Sequence, residues 1–210
     1  MPLYVLALTD TALPPEVAGG LRLDSVELGG FYAICEPRRA APPPEDDRLR
    51  EQHALVRQIA GSARAILPVR FGTLMRKREL VAFSKDHEEE IRAGLDAVRD
   101  RVQMTIRIVG RQQQLSPRRR ATTGRGYLEQ RRRAASPDLP PAARSLLAAL
   151  RPLIVRERQE PGVGRLLATV YHLVDASNSS RYSRKAKRMA TQATVVTGPW
   201  PPFAFTPQLG

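Results

Sequence analysis

Residues 102–110 read VQMTIRIVG, and this short stretch constrains the fold more than any other part of the chain. Val102, Met104, Ile106 and Ile108 alternate with Gln103, Thr105 and Arg107, the two-residue period of a strand with one buried face. Immediately upstream, SKDHEEEIRAGLDAVRDR (84–101) carries Ile91, Leu95 and Val98 on one helical face. Asp86 and Glu89 there stand at capping-box spacing, and Glu88–Glu90 suit a helix start, where the dipole favours carboxylates. The change of period at residue 101 predicts a junction between two domains, 1–101 and 102–210. A strand buried on one side needs neighbours and a covering layer, so the remaining segments must supply both.

Downstream, GRQQQLSPRRRATTGRG (110–126) reads as a basic loop, and YLEQRRRAA (127–135) and ARSLLAALRPLIVRER (143–158) as helices. Asp138 is placed to cap the second helix and Pro152 to break or kink it. RLLATVYHLVDA is a strand, SSRYSRKAKRMA a helix with Tyr182, Ala186 and Met189 inward, and ATVVTG a last strand. Strand, helical insertion, strand, helix, strand is the order of a split βαβ, ferredoxin-like sheet with an enlarged first crossover, an arm of about residues 111–160.

The first half is also mixed. LYVLAL (3–8) reads as a buried strand, and VELGGFYAICE (26–36) as a hairpin turning at Gly29–Gly30. Pro42–Pro44 block a helix until Asp46 or Asp47 can cap one, whose inner face carries Leu49, His53, Val56, Ala60 and Ala63. AILPVRF (65–71) is an edge or bent strand because of Pro68. The fold class expected is α+β: an N-terminal mixed domain and a C-terminal modified ferredoxin-like sheet with an extended helical insertion.

Charge separates the halves. Residues 1–101 hold 15 basic and 16 acidic side chains, whereas residues 102–210 hold 19 and 5. The net of +13 thus sits in the second half, which asks for an acidic partner there. No apolar run approaches the ~20 residues needed to span a bilayer. The start, MPLYVLALTD, lacks the basic n-region of a secretory signal. The single cysteine, Cys35, reads as a small core residue and fits a reducing compartment. A soluble cytoplasmic protein is expected.

Catalytic signatures are missing. His53, His87 and His172 fall on separate elements without metal spacing, and no P-loop, GxGxxG, GxSxG, CxxC or HExxH motif occurs. His53 reads as a packed helix residue rather than a ligand. No enzyme, metal or cofactor is expected. Two binding readings stay open on composition: phosphate contacts by RRR at 118–120 and 131–133 and by RKAKR at 184–188, or a basic face for an acidic protein. The first lacks the aromatics interleaved with basic residues on which single-strand binders stack bases.

The end of the chain adds a specific signal. TGPWPPFAF (197–205) concentrates the only tryptophan, three prolines and two of five phenylalanines where termini usually fray. This segment resembles the ending of the gas vesicle protein F/L family (GvpF/GvpL), carried here by Gly198, Pro199, Trp200, Pro201, Pro202 and Phe203. ILPVRFGT resembles that family's Leu-Pro-x-Arg-Phe-Gly motif through Leu67, Pro68, Arg70, Phe71 and Gly72, preceded by a histidine-bearing helix with His53. GRGYLEQRRR is similar to its Tyr-Leu entry to the helical arm through Tyr127 and Leu128. The chain departs from the family pattern at Gln103–Met104, where a glutamate is usual, and at Phe203, where a tyrosine is common.

The resemblance implies two α+β domains and a role as an accessory protein of gas vesicles. It implies binding to the small shell protein and other gas vesicle accessory proteins, at the vesicle or in the cytoplasm, without membrane or catalysis. A basic nucleic-acid-binding protein is the alternative. The candidate partner-binding residues are Arg118, Arg119, Arg120, Arg131, Arg132 and Arg133. Trp200 is expected to pack on the protein itself, and Arg70, flanked by Val69 and Phe71 in a strand, to be buried against a carboxylate.

Overall fold

A computed structural model describes residues 1–14, 23–110 and 139–207. It divides into two units, Met1–Gln103 with Trp200–Gly210, and Met104–Pro199. The residues from Trp200 onward therefore group with the first unit, where the sequence pattern assigns them to the second.

In the first unit, β1 (Leu3–Thr9) is the central strand and is buried at all seven positions. It pairs antiparallel with β3 (Tyr32–Pro37) on one side. On the other it pairs with β4 (Ile66–Pro68) and β5 (Leu74–Met75) at its two ends. β2 (Asp24–Glu27) completes the order β2-β3-β1-β4. The β2–β3 turn closes with the Leu28 N–H donating to Phe31 O at 2.8 Å. Gly29 and Gly30 there take φ of 78° and 100°, which explains the glycine pair. Pro68 lies on an edge strand, where its missing N–H leaves no gap in the ladder.

Helix α1 (Asp46–Ala60) covers one face, with Val56 and Ile59 packed on Tyr4, Leu6, Ile34 and Ile66. Leu67, adjacent to Ile66 and so on the opposite face, lies against Gly94 of α3 (Glu88–Val98). Helix α2 (Lys77–Asp86) precedes α3.

Several local expectations change. The N-cap of α1 is Glu45, not Asp46 or Asp47, which sit in the first turn and gain from the dipole instead. Leu49 is 41% exposed, because the buried face follows Val56 and Ile59. Asp86 ends α2 rather than capping α3, whose N-cap is His87. The sequence conceals α2 because that helix buries only Leu80 and Ser84. Its first turn is held by the Arg76 N–H donating to Glu79 Oε2 at 2.9 Å.

In the second unit, β6 (Arg101–Val109), β7 (Arg156–Pro161), β8 (Leu166–Asp175) and β9 (Thr194–Trp200) form a sheet of order β7-β8-β6-β9. The end of β6 meets the starts of both neighbours, with the Val109 N–H to Ala193 O at 2.8 Å and the Gly110 N–H to Arg165 O at 2.9 Å. The sheet is thus antiparallel. Helices α4 (Pro141–Leu150) and α5 (Ser179–Met189) supply Leu146, Leu150, Tyr182 and Ala186 to a core with Met104, Ile106, Ile108 and Val170. The order is that of a ferredoxin-like sheet.

The sequence reading of the second half finds three strands, and the structure has four. β7 falls where a helix through Arg158 is expected. The helix stops at Leu150, Pro152 sits in a 3-10 turn, and the polar RERQEP pairs with β8. Such a charged, proline-ended strand suits a sheet edge, where it discourages further pairing. β6 is also buried more fully than its alternation predicts. Gln103 and Thr105 are 5% and 6% exposed, and only Arg107 faces outward. Asp138, the expected cap of α4, lies outside the described residues. Among the described residues no helix is long and apolar enough to cross a membrane.

Candidate functional site

Residues of two sequence motifs, Trp200–Phe203 and Leu67–Gly72, lie in the first unit. α1 places His53 and Arg57 one turn apart on the same side of the helix. The chain leaving β9 crosses this side. Trp200 meets the His53 ring edge-on at 5.2 Å between centroids, and Phe203 stacks on it at 5.1 Å and 14°. The Arg57 guanidinium lies 5.1 Å from the Trp200 ring centre, a cation–π contact. Pro201 and Pro202 are buried, Phe205 is 7% exposed, and the 3-10 turn Phe203–Phe205 packs against β4. The Gln103 carboxamide oxygen accepts the Ala204 N–H at 2.7 Å, which gives the buried Gln103 its function. Trp200 itself is half-buried and Phe203 is 37% exposed, so the ledge keeps an open aromatic rim. Partial burial first, and then the Arg57 charge, hold the His53 pKa below its ordinary value, so the ring is neutral at pH 7.

The second motif forms the turn between β4 and β5. The Val69 N–H bonds Leu6 O, the Val5 N–H bonds Thr73 O, and both the N–H and hydroxyl of Thr73 reach Arg70 O. Gly72 takes φ +88°. Its N–H donates to the Tyr4 hydroxyl at 3.2 Å, and that hydroxyl donates to Gln52 Oε1 on α1. Phe71 meets Tyr4 edge-on at 6.3 Å. Arg70 contradicts the expectation of burial. It lies after the strand ends at Pro68, is exposed, and meets no carboxylate among the described residues. The strand stops too early to carry it inward.

Beside this turn lies a pocket of about 380 Å³ lined by Tyr4, Leu6, Leu55 and Phe71, with Arg38, Gln52 and Glu51 at its polar side. Arg38 stands 5.5 Å over the Tyr4 ring and keeps Nε 2.8 Å from Glu36, off the hydrogen-bond line.

Among the described residues, Cys35 and His172 are withdrawn from solvent. The Cys35 thiol is buried, and burial pushes its pKa up to about 12, so it is no nucleophile at neutral pH. In the second unit Glu157, His172 and Tyr182 form a chain. His172 Nε2 lies 3.0 Å from Glu157 and Nδ1 2.6 Å from the Tyr182 hydroxyl, with both rings 0% exposed. Neither ring is open to solvent. Among the described residues no group of three or more His, Cys, Asp or Glu is arranged to hold a metal.

The comparisons decide which family this architecture serves. The family model for the gas vesicle synthesis protein GvpL/GvpF matches residues 2–207. The chain belongs to the GvpL/GvpF family. Its role is therefore related to gas vesicles. Two solved structures share the fold: GvpF from Anabaena sp. PCC7120, at 15% identity and TM-score 0.75, covering 98% of this chain and 96% of that one, and GvpF from Microcystis aeruginosa, at 12% identity and TM-score 0.72, covering 98% and 99%. No curated protein sequence matches the chain.

Of the residues expected to matter in this GvpL/GvpF chain, His53, Trp200 and Phe203 are in contact, and Phe71 and Gly72 gather at Tyr4. Leu67 and Pro68 lie in β4, and Gly198 and Pro199 in β9. Tyr127, Leu128, Arg118–Arg120 and Arg131–Arg133 lie outside the described residues. Sequence reasoning missed Arg57, although its position four residues after His53 marks it as facing the same way. It also missed Gln52, whose partner is 48 residues away.

Proposed function

We propose that this chain is a cytoplasmic accessory protein of gas vesicle assembly, binding the small shell protein and other accessory proteins while the shell nucleates and grows. The observation that carries this reading is the family match over residues 2–207. The physics of the task supports it. A subunit of a gas-filled shell must be apolar on one side and prone to stacking through strand edges, so it aggregates before assembly. A protein that covers such a face transiently needs surface complementarity and modest affinity, not a catalytic centre. The aromatic rim of Trp200 and Phe203 beside Arg57 is one surface of that kind.

The arginine triplets 118–120 and 131–133 are proposed as a second contact. Residues 111–135 carry eight arginines against the single acid Glu129. Such a concentration of charge steers an acidic partner, and the attraction weakens with salt. The test is a pull-down of the shell protein by the full chain, paired with deletion of its gene. Capture of the shell protein and loss of vesicles are expected. A chain that captures neither shell nor accessory proteins, in cells that still form vesicles without it, would overturn the proposal.

A further inference from the structure

Helix α5 presents a charge pattern that nothing else in the described structure balances. Among its eleven residues, SSRYSRKAKRM, five are cationic and none is acidic. Tyr182 and Ala186 are fully buried, which turns Arg181, Arg184, Lys187 and Arg188 outward and leaves Lys185 half-buried. Arg181, Arg184, Lys185 and Arg188 stand at i, i+3, i+4 and i+7. They form one row along the helix, roughly 10 Å long at 1.5 Å rise per residue.

None of these cations has a carboxylate within 4.0 Å among the described residues. The helices of the first unit behave otherwise. Arg48 meets Glu51 at 2.8 Å and Arg50 meets Asp47 at 2.8 Å on α1, and Arg92 meets Glu88 at 2.9 Å on α3. Those helices neutralise themselves at three- and four-residue spacing, and α5 contains nothing to do so. The nearby acids of β7 are engaged elsewhere, Glu157 with His172 and Glu160 with Arg158 and Tyr171. Like charges at these spacings repel along a helix. α5 is therefore held by its buried side, with an uncompensated cationic row outside.

We propose that this face of α5 binds an acidic helical segment of a protein partner. A partner helix laid alongside presents carboxylates every three to four residues, which matches the spacing of the cationic row. Single-stranded nucleic acid fits less well, because the only aromatic side chain of α5, Tyr182, is sealed in the core and cannot stack on a base. An anionic membrane fits less well too, since a surface-lying helix must bury an apolar face in the lipid and α5 has spent its own on the core. The proposal does not depend on the gas vesicle reading.

The test uses the full chain with Arg118–Arg120 and Arg131–Arg133 changed to glutamine, so that those triplets cannot mask the result. The probe is a synthetic alanine-rich helix with glutamates at i and i+4. Binding at low salt is expected. Further changing Arg181→Gln, Arg184→Gln, Lys185→Gln and Arg188→Gln should weaken it by roughly tenfold or more, as the loss of four exposed pairs allows. The melting temperature should hold or rise as repulsion is relieved, which separates the result from misfolding. The proposal is overturned if the parent ignores the peptide or if the fourfold variant binds it equally well. It is overturned as well if an oligonucleotide or phosphatidylserine vesicles bind through α5 more tightly than the peptide.

Discussion

The imidazole of His53 lies almost parallel to the ring of Phe203, with 5.1 Å between centroids and 14° between planes. This pair ties a residue near the end of the chain to the first helix, across 150 positions of sequence. If the stacking is a direct interaction, it survives as a coupling term when each ring is removed singly and together. A double-mutant cycle with His53→Ala and Phe203→Ala should give about 0.5–1.5 kcal/mol of coupling in urea denaturation. Strict additivity would mean that the rings are merely neighbours.

Trp200 has two contacts on α1, the His53 edge and the Arg57 guanidinium, and remains half-buried. Trp200→Ala should cost about 2–3 kcal/mol, below the range for fully buried aromatics because part of the ring is already in water. The same variant reports on function through shell-protein binding. A protein that melts like its parent but no longer captures the shell protein would make Trp200 a contact residue rather than an anchor.

Gly72 offers a cleaner test of backbone conformation. Its φ is +88°, and an added Cβ would meet nothing within 4 Å. Steric overlap with neighbours is thus absent, and the cost of Gly72→Ala is that of holding an alanine in a left-handed conformation, about 1–2 kcal/mol. Chemical denaturation measures it directly. A neutral substitution would show that the turn relaxes to negative φ without losing the Gly72 N–H bond to Tyr4.

The regular parts of this fold were legible because each carries its own period. β6, β8 and α5 declare themselves through apolar residues at spacings of two or of three and four, and the Gly29–Gly30 turn through the φ it needs. β7 and α2 were not legible, since an edge strand of RERQEP and a helix burying one leucine need almost no apolar residues. The candidate site was half readable. The motif residues could be named, but their partners could not, because Gln52 to Tyr4 and Gln103 to Ala204 are contacts set by tertiary folding. Arg70 was misplaced for a related reason: two apolar neighbours suggest burial, yet the strand that would carry it inward ends at Pro68.

His172 should make the stability of the protein depend on pH. A carboxylate accepts, so Nε2–H donates to Glu157, and Nδ1 accepts from the Tyr182 hydroxyl, whose own pKa burial raises. Burial lowers the His172 pKa from 6.5, outweighing the opposing attraction of Glu157. Protonating Nδ1 would also force the tyrosine to give up its donated bond. A group whose folded pKa is depressed takes up its proton first in the unfolded chain. Stability is therefore complete above about pH 6.5 and declines as pH falls below that value toward the folded pKa. His53 acts in the same direction, with its pKa lowered by burial and then by Arg57. Melting temperatures measured between pH 7.5 and 5.5 stay above the ordinary carboxylate range, so histidine dominates the slope. The wild-type protein should melt lower at pH 5.5, and His172→Gln should reduce the difference between the two pH values. If the variant keeps the full difference, the response belongs to His53 or another group, and the buried chain from Glu157 to Tyr182 is only a structural tie.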